Sequence, residues 1–557
     1  MAARPMTIKK QGYDNLIRPH GSGTAPPSME FNKESAMSTT DDKAIEPMKT
    51  SVSSPENAPS IGRGDLEDAT AIPDDFITNK WQRKANELIG LAGAEARGIE
   101  RVDEVFRTGR LALKDYFSMT IVWFSVNLTS NILTIGVLGP VTFGLGSLDS
   151  MLCCFFGTIL GSAATCYMAT YGPMSGNRSL VGARFSMGWW PTKLCVILAV
   201  VVMLGYGLVD AVTTGLIFSA VSGGSLSTIV GIVIFGIMVW VISSFGIKYV
   251  KHYEEYAYVP QVCALFILVG VAAPYMDVHA KSALTGKTLI GARISYLFTC
   301  ASGPLGWAPF IADSLVYHPP STSRVGVFCS TFIGFVASKT FVEFIGIGLG
   351  SGLATNPTWA AGFNATGVGG LLVAAYDPLG SLGHLCAVIL GLGIAANMVP
   401  GNYSAAFCAQ LIATKAEKIP RIVWNTLATI IYTVIAIAGR NKLLPIFSNF
   451  LPLIGYWTII WIVITLQEEW LFRRRRNPTK PYDWAAWDNR NLLPMGIAAF
   501  ATFLVGWAAA ILCMSQAYYI GPIAALVPAD MGLPVAAAWS AIVYPPLRYM
   551  ELKKFGR

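Results

Sequence analysis

Residues 123–131 read WFSVNLTSN, and this stretch lies inside the first long apolar segment of the chain. Five of its side chains, between Ser125 and Asn131, can form hydrogen bonds. Because an unpaired polar group in hydrocarbon is costly, this density exceeds what the packing of one membrane helix on another requires. The stretch predicts an interrupted helix that offers polar groups to a ligand. The alternative is that Thr129, Ser130 and Asn131 only bond their own or a neighbouring helix.

The composition indicates an integral membrane protein. Of the 557 residues, 53% are hydrophobic and only 13% are charged, about half the charged fraction of an ordinary soluble domain. The formal charge of +8 is spread between apolar segments and forms no single stripe, which argues against nucleic-acid binding. The ten cysteines form no CxxC pair, so we expect no metal site, disulfide framework or other cofactor.

Apolar segments of about 20 residues predict twelve membrane spans. Their approximate first residues are 116, 148, 194, 226, 258, 295, 325, 383, 421, 445, 495 and 521. If the N-terminus is cytosolic, most Lys and Arg residues fall in inside loops, as the positive-inside rule requires, and the run Arg473 to Arg476 has this role. We therefore expect a mostly disordered cytosolic tail at 1–110, a transporter domain at 111–547 and a cytosolic tail at 548–557. The sequon at Asn364 falls in a predicted outside loop.

Three further spans contain polar or helix-breaking residues. The sixth reads SGPLGW at 302–307, where glycine and proline weaken helical hydrogen bonding. Interruptions in the first and sixth spans are what a five-plus-five inverted repeat produces. The third span places Tyr206 and Asp210 four residues apart on one helical face, and the eighth reads NMVPGNY at 397–403, a further predicted break. Aromatic faces combined with amide and carboxyl groups suit a planar heterocycle.

Acidic residues inside the predicted spans are candidates for coupling. A carboxyl at mid-span is expensive, so we expect Asp210 to carry a proton or to anchor the substrate. Glu343 follows Lys339 by four residues, which fits either a helix-surface ion pair or a proton-coupling role. Asp313 lies near the inner end of its span, where we expect it to be solvated. No set of nucleophile, base and orienting group occurs at membrane depth, so an enzyme is not expected.

Several of these motifs resemble the purine-cytosine permease branch of the nucleobase:cation symporter-1 family, over about residues 90 to 557. In chain order the resembling motifs are Trp123 to Asn127, Gly136 to Pro140, Gly172-Pro173, Gly182 to Phe185, Gly306-Trp307 through Asp313, Asn397 to Tyr403, Gly455 to Trp457, and Tyr544 to Arg557. The resemblance implies an all-α integral membrane protein of twelve transmembrane helices. Its fold would be leucine-transporter-like, with a five-plus-five inverted repeat and two additional C-terminal helices. It also implies a central site between the first, third, sixth and eighth spans.

The resemblance further implies the substrate contacts, which are Ser125, Tyr206, Asp210, Trp307, Asn397 and Pro400. The chain departs from the family pattern in two spans. Tyr206 and Asp210 stand where the family tends to have Trp and Asn, and Gly401 stands where it tends to have a final Asn. An ionised carboxylate only accepts hydrogen bonds, so Asp210 favours a donor-rich or cationic ligand edge. Gly401 would enlarge the site, and Asn402 would supply an amide from the next position.

The leading hypothesis is a proton symporter that imports a nucleobase-type heterocycle, such as cytosine or a purine, across the plasma membrane. Asp210 and Glu343 are the proton-coupling candidates. The partners would be this substrate, a cation (a proton by resemblance) and the lipid bilayer. An importer of a vitamin B6 compound or another amine-bearing heterocycle is the alternative that Asp210 raises, because the resembling branch includes such members. A receptor that binds a nutrient without transporting it is an alternative from a different class.

Overall fold

The computed structural model describes residues 97–557, and nearly all of this part of the chain is helical. The predicted tail up to residue 96 lies outside the described residues. The long helices are α1 (Leu113–Asn127), α2 (Asn131–Val141), α3 (Ser147–Ala169), α4 (Trp189–Val221), α5 (Thr228–Ser244), α6 (Ile247–Ala272), α7 (Gly286–Leu305), α8 (Arg324–Ser351), α9 (Pro357–Tyr376), α10 (Ser381–Gly393), α11 (Ala395–Leu411), α12 (Arg421–Gly439), α13 (Leu443–Gln467), α14 (Ile497–Cys513) and α15 (Gly532–Phe555). Short helices and helical turns occupy Glu104–Phe106, Tyr171–Ser175, Ser179–Gly182, Arg184–Met187, Ala273–Tyr275, Ile311–Ser314, Gly352–Ala354, Asp377–Leu379, Thr414–Glu417, Glu468–Arg473, Arg474–Arg476, Trp484–Asp488 and Pro522–Leu526. Two short strands, β1 (Ser515–Gln516) and β2 (Tyr519–Ile520), pair antiparallel.

The long helices confirm an all-α protein that passes the membrane several times. Within residues 97–557, seven helical segments are long and apolar enough to cross a bilayer, or eight when the bent pair α1 and α2 counts as one. Helices α5 and α14 are apolar but shorter. Each predicted span contains a helix. The number of crossings stays a prediction.

The first span is broken where the sequence predicts. Helix α1 ends at Asn127, α2 begins at Asn131, and the two axes differ by 57°. The Asn127 side chain donates from Nδ2 to the carbonyl of Trp123 at 3.0 Å and so satisfies one group of the helix end. The second half then packs closely on α8, because Gly346 has no side chain and sits against the backbone of Leu133.

Of the other two predicted breaks, the one in the sixth span lies where the sequence predicts and the one in the eighth does not. Helix α7 contains Pro304 in its last turn and ends at Leu305, after which tight turns lead to Ile311–Ser314. The predicted break at 397–403 is wrong, because α11 continues through Pro400. The eighth span instead has a tight turn at Ile394, between α10 and α11. There the Ile394 carbonyl accepts a hydrogen bond from the backbone amide of Asn397, three residues later. Pro400 has no backbone N–H and cannot donate a helical hydrogen bond at its position. The rest of the segment remains helical to Leu411.

The segment between α8 and α10 is helical, although the sequence predicts a loop. Asn356 caps α9 by accepting hydrogen bonds from the next two amides along that helix. A kink at Thr366 and Gly367 then folds α9 back, and Gly367 takes a φ of 61°, which a residue with a side chain rarely adopts. The sequon residue Asn364 is exposed beside this kink.

The end of the bundle that carries residues 97–110 is called the N-terminal face here. The last part of the predicted tail is ordered on this face, because Val102 is fully buried and its amide bonds the carbonyl of Gly176 at 2.9 Å. Asp313 was expected to be solvated, and this is wrong. The residue is 2% exposed, and its Oδ1 accepts from the Ser179 amide at 2.7 Å.

A buried arginine joins three elements of the N-terminal face. Arg178 donates to the carbonyl of Asp313 at 2.6 Å and to the hydroxyls of Tyr403 and Tyr317 at 3.0 and 3.1 Å. Its guanidinium also lies 4.0 Å from the ring centre of Phe407. Arg178 therefore connects the segment after α7 to α11.

The C-terminal segment forms part of the same face. The predicted boundary at 547 falls inside α15, which runs to Phe555. Arg548 is buried and pairs with Glu468 at 2.9 Å. Arg473 and Arg474 of the basic run pair with Glu468 and Glu469. These arginines thus make specific ion pairs in addition to the topological role that the sequence predicts.

Candidate substrate site

Three aromatic rings meet where α1, α4 and the end of α7 come together. The Tyr206 ring stacks on Trp307, with centroids 6.1 Å apart and planes 15° from parallel. Trp123 meets Trp307 edge to face at 5.8 Å. The Tyr206 hydroxyl donates to the Gly303 carbonyl at 2.9 Å, so the last turn of α7 is fixed to α4. The arrangement offers a planar ligand aromatic faces held in fixed orientations.

A polar network lies on the same side of α4, one turn beyond Tyr206. Asn131, the first residue of α2, donates from Nδ2 to Asp210 Oδ1 at 2.5 Å and faces Asn397 Oδ1 at 3.4 Å. Asn397 in turn donates to the Val126 carbonyl at 2.9 Å. All three side chains are buried, and Asp210 Oδ2 has no hydrogen-bond partner in the described chain. The network therefore leaves one strong acceptor available for a donor on a ligand.

Most of the predicted site residues are thus brought together. The structure gathers Tyr206, Asp210, Trp307, Asn397 and Pro400 around the contact of α1 with α4, α7 and α11, whereas the Ser125 hydroxyl lies beside Glu254 of α6. Asn131 belongs to the same group because its amide bridges two of the predicted contacts. Thr129 and Ser130 bond Asn131 and the Leu390 carbonyl, as the alternative interpretation of these residues expected.

Asn402 lies in a different polar cluster. Its amide donates to Ser243 of α5 at 3.1 Å and to Thr429 of α12 at 3.0 Å. Asn425 donates to the same serine at 3.0 Å. The structure therefore places the Asn402 side chain in the packing of α5, α11 and α12 and does not bring it to the Asp210 network.

The position of Gly401 is closed by methionine. A Cβ atom at Gly401 would lie 2.9 Å from the sulfur of Met203 and 3.7 Å from that of Met398, and 3.6 Å from the Trp307 ring. Both methionines are buried. The enlargement expected from Gly401 is therefore not present, because flexible thioether side chains fill the space.

A cavity of about 60 Å³ leads from the N-terminal face toward the rings. Trp123, Trp307 and Pro400 line its inner end, and Lys251 and His318 line its outer end, with further contributions from Asp115, Ser118, Met119, Val122, Val126, Ile247, Val250, Phe310, Ser314, Leu315, Tyr403 and Ser404. His318 lies in the loop before α8, where burial, aided by Lys251, lowers its pKa to about 4. Its imidazole is therefore neutral at physiological pH.

Glu343 forms the ion pair that the spacing predicts, but inside the bundle. Lys339 Nζ lies 3.1 Å from Glu343 Oε1, and the two side chains are 2% and 0% exposed. Glu343 Oε2 accepts from Thr158 at 2.8 Å and Cys154 at 2.9 Å. The surface location is wrong, because helices α2 and α3 pack against this part of α8. The lysine head also packs against Gly303 at the end of α7.

The sequence prediction missed Glu254. This residue of α6 is fully buried, and its carboxyl lies beside the hydroxyl of Ser125. Neither group is in ordinary hydrogen-bond geometry with a partner. In the sequence, the pair Glu254-Glu255 precedes the predicted start of the fifth span at 258. The pair therefore resembles part of a solvated loop, and the sequence carries no other signal for a buried carboxyl here.

A family model described as a permease for cytosine/purines, uracil, thiamine and allantoin matches residues 107–532. The chain belongs to this permease family. A purine-cytosine permease of Emericella nidulans is 32% identical over 480 residues, which cover 86% of this permease and 92% of that protein. A vitamin B6 transporter of Saccharomyces cerevisiae is 31% identical over 522 residues, with 85% and 90% covered. The permease is accordingly a transporter and not an enzyme.

Solved structures support the same fold. The nucleobase-cation-symport-1 family transporter Mhp1, in a closed conformation with bromovinylhydantoin bound, aligns with a TM-score of 0.59 at 16% identity. The alignment covers 79% of the permease and 93% of that chain. A Na⁺-coupled sialic acid symporter aligns with a TM-score of 0.53 at 13% identity, covering 88% and 98%. These similarities show that the helical bundle of the permease has the same fold as these transporters.

Proposed function

We propose that this permease imports a nucleobase-type heterocycle, such as cytosine or a purine, across the plasma membrane in symport with protons. The observation that carries the proposal is the free acceptor oxygen of Asp210, held by Asn131 beside the stacked pair Tyr206 and Trp307. Ring faces would bind the heterocycle, and the carboxyl and the Asn397 amide would read its edge. Its curated relatives include purine-cytosine permeases, which supports this substrate class.

The proposed topology has twelve spans with a five-plus-five inverted repeat, two further C-terminal helices and both termini in the cytosol. The break between α1 and α2 and the end of α7 at Leu305 are the features that support the repeat. Basic residues such as Arg473, Arg474 and Arg548 gather on the N-terminal face, which under the positive-inside rule supports its assignment to the cytosolic side. The cavity described above would then open toward the cytosol.

A vitamin B6 compound or another amine-bearing heterocycle is the second candidate substrate. Asp210 favours it, because a carboxylate binds a cationic or donor-rich edge more strongly than the amide that the family tends to have there. The 31% identity to a vitamin B6 transporter points the same way. An Asp210→Asn variant is expected to gain uptake of cytosine and to lose uptake of a cationic substrate.

Uptake of radiolabelled compounds tests both candidates. The permease is expressed in a fungal strain that lacks its own carriers, and cytosine, adenine, hypoxanthine, uracil and pyridoxine are supplied with and without a protonophore. We expect protonophore-sensitive accumulation of at least one of them. Entry of none above the vector control would refute the nucleobase-type proposal, and sodium-dependent, protonophore-insensitive entry would refute proton coupling.

A further inference from the structure

One buried carboxyl of the described bundle takes no part in the aromatic and amide site. Glu254 has no exposed surface, and both of its carboxylate oxygens are without a hydrogen bond of ordinary geometry. Among residues 97–557 it forms no ion pair. The other buried carboxyls that have been described differ, since Glu343 has Lys339 beside it and Asp210 accepts from Asn131. Glu254 therefore lacks the ion pair or hydrogen bond that stabilises each of the other two carboxyls.

The surroundings of Glu254 determine which form of the acid fits there. An ionised carboxyl is strongly disfavoured in an apolar interior unless a cation or several donors face it. From α1 the polar neighbour is the Ser125 hydroxyl. Its own helix contributes the neighbouring Tyr253 phenol and, one turn earlier, Lys251, whose ammonium pairs with Glu255 at 3.7 Å. This arrangement therefore fits the neutral, protonated acid.

Glu254 also lies on the helix face that lines the cavity, next to the α1 segment that contacts the substrate site. Ile247, Val250 and Lys251 line the cavity, and on a helix the residue that continues this face is 254. It stands roughly 10 Å along α6 from the N-terminal face, from the rise of an α-helix. On its other side, Ser125 precedes Val126, whose carbonyl binds Asn397 of the substrate site. Water entering the cavity would reach the carboxyl from one side, while the substrate would act on Ser125 from the other.

We propose that Glu254 is the binding site for the co-transported proton. The inference rests on the proposed function, because it requires proton symport. When the cavity is closed, Glu254 holds the proton as the neutral acid. When the cavity admits water, the O–H bond of the acid breaks, the proton leaves on a water molecule and the hydrated carboxylate remains. Ser125 connects the two events, since it neighbours both the carboxyl and the broken end of α1.

The test separates coupling from transport itself. Purified permease is reconstituted in vesicles with an inward acid gradient, and accumulation is compared with counterflow exchange, which needs no net proton movement. The labelled compound is whichever of cytosine, adenine, hypoxanthine, uracil or pyridoxine the wild type accumulates most. Glu254→Gln is compared with Glu255→Gln, because Glu255 is adjacent but partly exposed and binds Ser118 and Lys251.

We expect Glu254→Gln to retain counterflow while its accumulation falls at least tenfold, to the level of equilibration, and to lose its dependence on external pH. Glu255→Gln should accumulate as the wild type does. Wild-type accumulation by Glu254→Gln with unchanged protonophore sensitivity would overturn this inference alone. A wild type that accumulates none of the five compounds would instead overturn the proposed function.

A second measurement needs no variant at Glu254. Dicyclohexylcarbodiimide is an apolar reagent that reacts with protonated carboxyls, and mass spectrometry locates its adducts in the wild-type permease. We expect an adduct on Glu254, none on the ion-paired Glu343, and loss of accumulation in proportion to labelling. An unmodified Glu254 in a permease that the reagent leaves fully active would overturn the inference.

Discussion

The buried ion pair of α8 gives a quantitative prediction. Lys339 and Glu343 are at most 2% exposed and 3.1 Å apart, and the carboxylate has two further donors, from Thr158 and Cys154. Replacing Lys339 by Met keeps the length of the side chain but leaves the carboxylate without its cation. Breaking a buried pair in this way costs about 3 to 5 kcal/mol. We therefore expect Lys339→Met to lower the free energy of unfolding by an amount in this range.

The matched control is the double variant Lys339→Met with Glu343→Gln. Glutamine retains an acceptor for the Thr158 hydroxyl and carries no charge. The double variant therefore loses the whole Lys339–Glu343 ion pair and leaves no unpaired charge in the bundle. Its expected cost is about 1 to 2 kcal/mol, the scale of one or two hydrogen bonds. The coupling that the structure predicts is the amount by which the summed costs of the two single variants exceed the cost of the double variant.

A double-mutant cycle measures this coupling. The free energies of unfolding are obtained by denaturant titration in mixed micelles, with circular dichroism as the signal, for the wild type, both single variants and the double variant. A coupling below about 1 kcal/mol, the scale of an exposed ion pair, would refute the reasoning. So would a double variant that is less stable than either single one, because relief of the unpaired charge is the source of the effect.

Three further comparisons of variants test separate parts of the description. Asn402→Ala should lose about 1 to 3 kcal/mol of stability and leave the KM for uptake unchanged. Asn397→Ala should raise the KM. Equal effects of the two variants on the KM would contradict the different positions assigned to the two amides. Arg178→Lys should lower the thermal midpoint in detergent, because lysine has no planar fork to reach several acceptors, and Arg476→Lys on the exposed surface should not. Burial lowers the pKa of His318 from 6.5 to about 4, so the unfolded chain takes up its proton first. Stability should therefore fall as the pH drops from 6.5 toward 4, and by less in His318→Gln, which a pH series of unfolding midpoints would check.

Local patterns explain why part of the site could be predicted. The density of polar side chains in 125–131 signals a helix end, because so many side chains compete with the backbone for hydrogen bonds, and the break at 128–130 agrees. Tyr206 and Asp210 share a face because four residues make about one helical turn. These inferences need only the geometry of one helix.

The orientation of helices in the bundle could not be predicted in the same way. Asn397 and Asn402 are five residues apart on α11, which turns their side chains about 140° from each other. With α11 unbroken, only one of the two can face Asp210. The sequence prediction assumed a break at Pro400, and without that assumption the helical phase excludes Asn402.

Glu254 was missed for a related reason. Residues 248–256 contain four charged residues and a histidine, which by composition indicate a loop outside the membrane. In the structure α6 begins at Ile247, so this segment is the first part of a helix. The buried side of that helix is set by α1 and α11, which are distant in sequence. A carboxyl pair such as Glu254-Glu255 looks uniform in sequence although one member is buried and the other partly exposed.

The methionines beside Gly401 bear on how such a site changes its ligand. A wall of β-branched side chains has a fixed outline, whereas Met203 and Met398 can adopt new outlines by rotation about single bonds. An extra methyl or hydroxymethyl group on a ring could thus be admitted on this side without displacement of a helix. Selection among ring sizes would then depend on the opposite side of the site, where Trp307 and Asp210 are held in fixed positions. Carriers with different substrates could thus arise from the same fold by few substitutions.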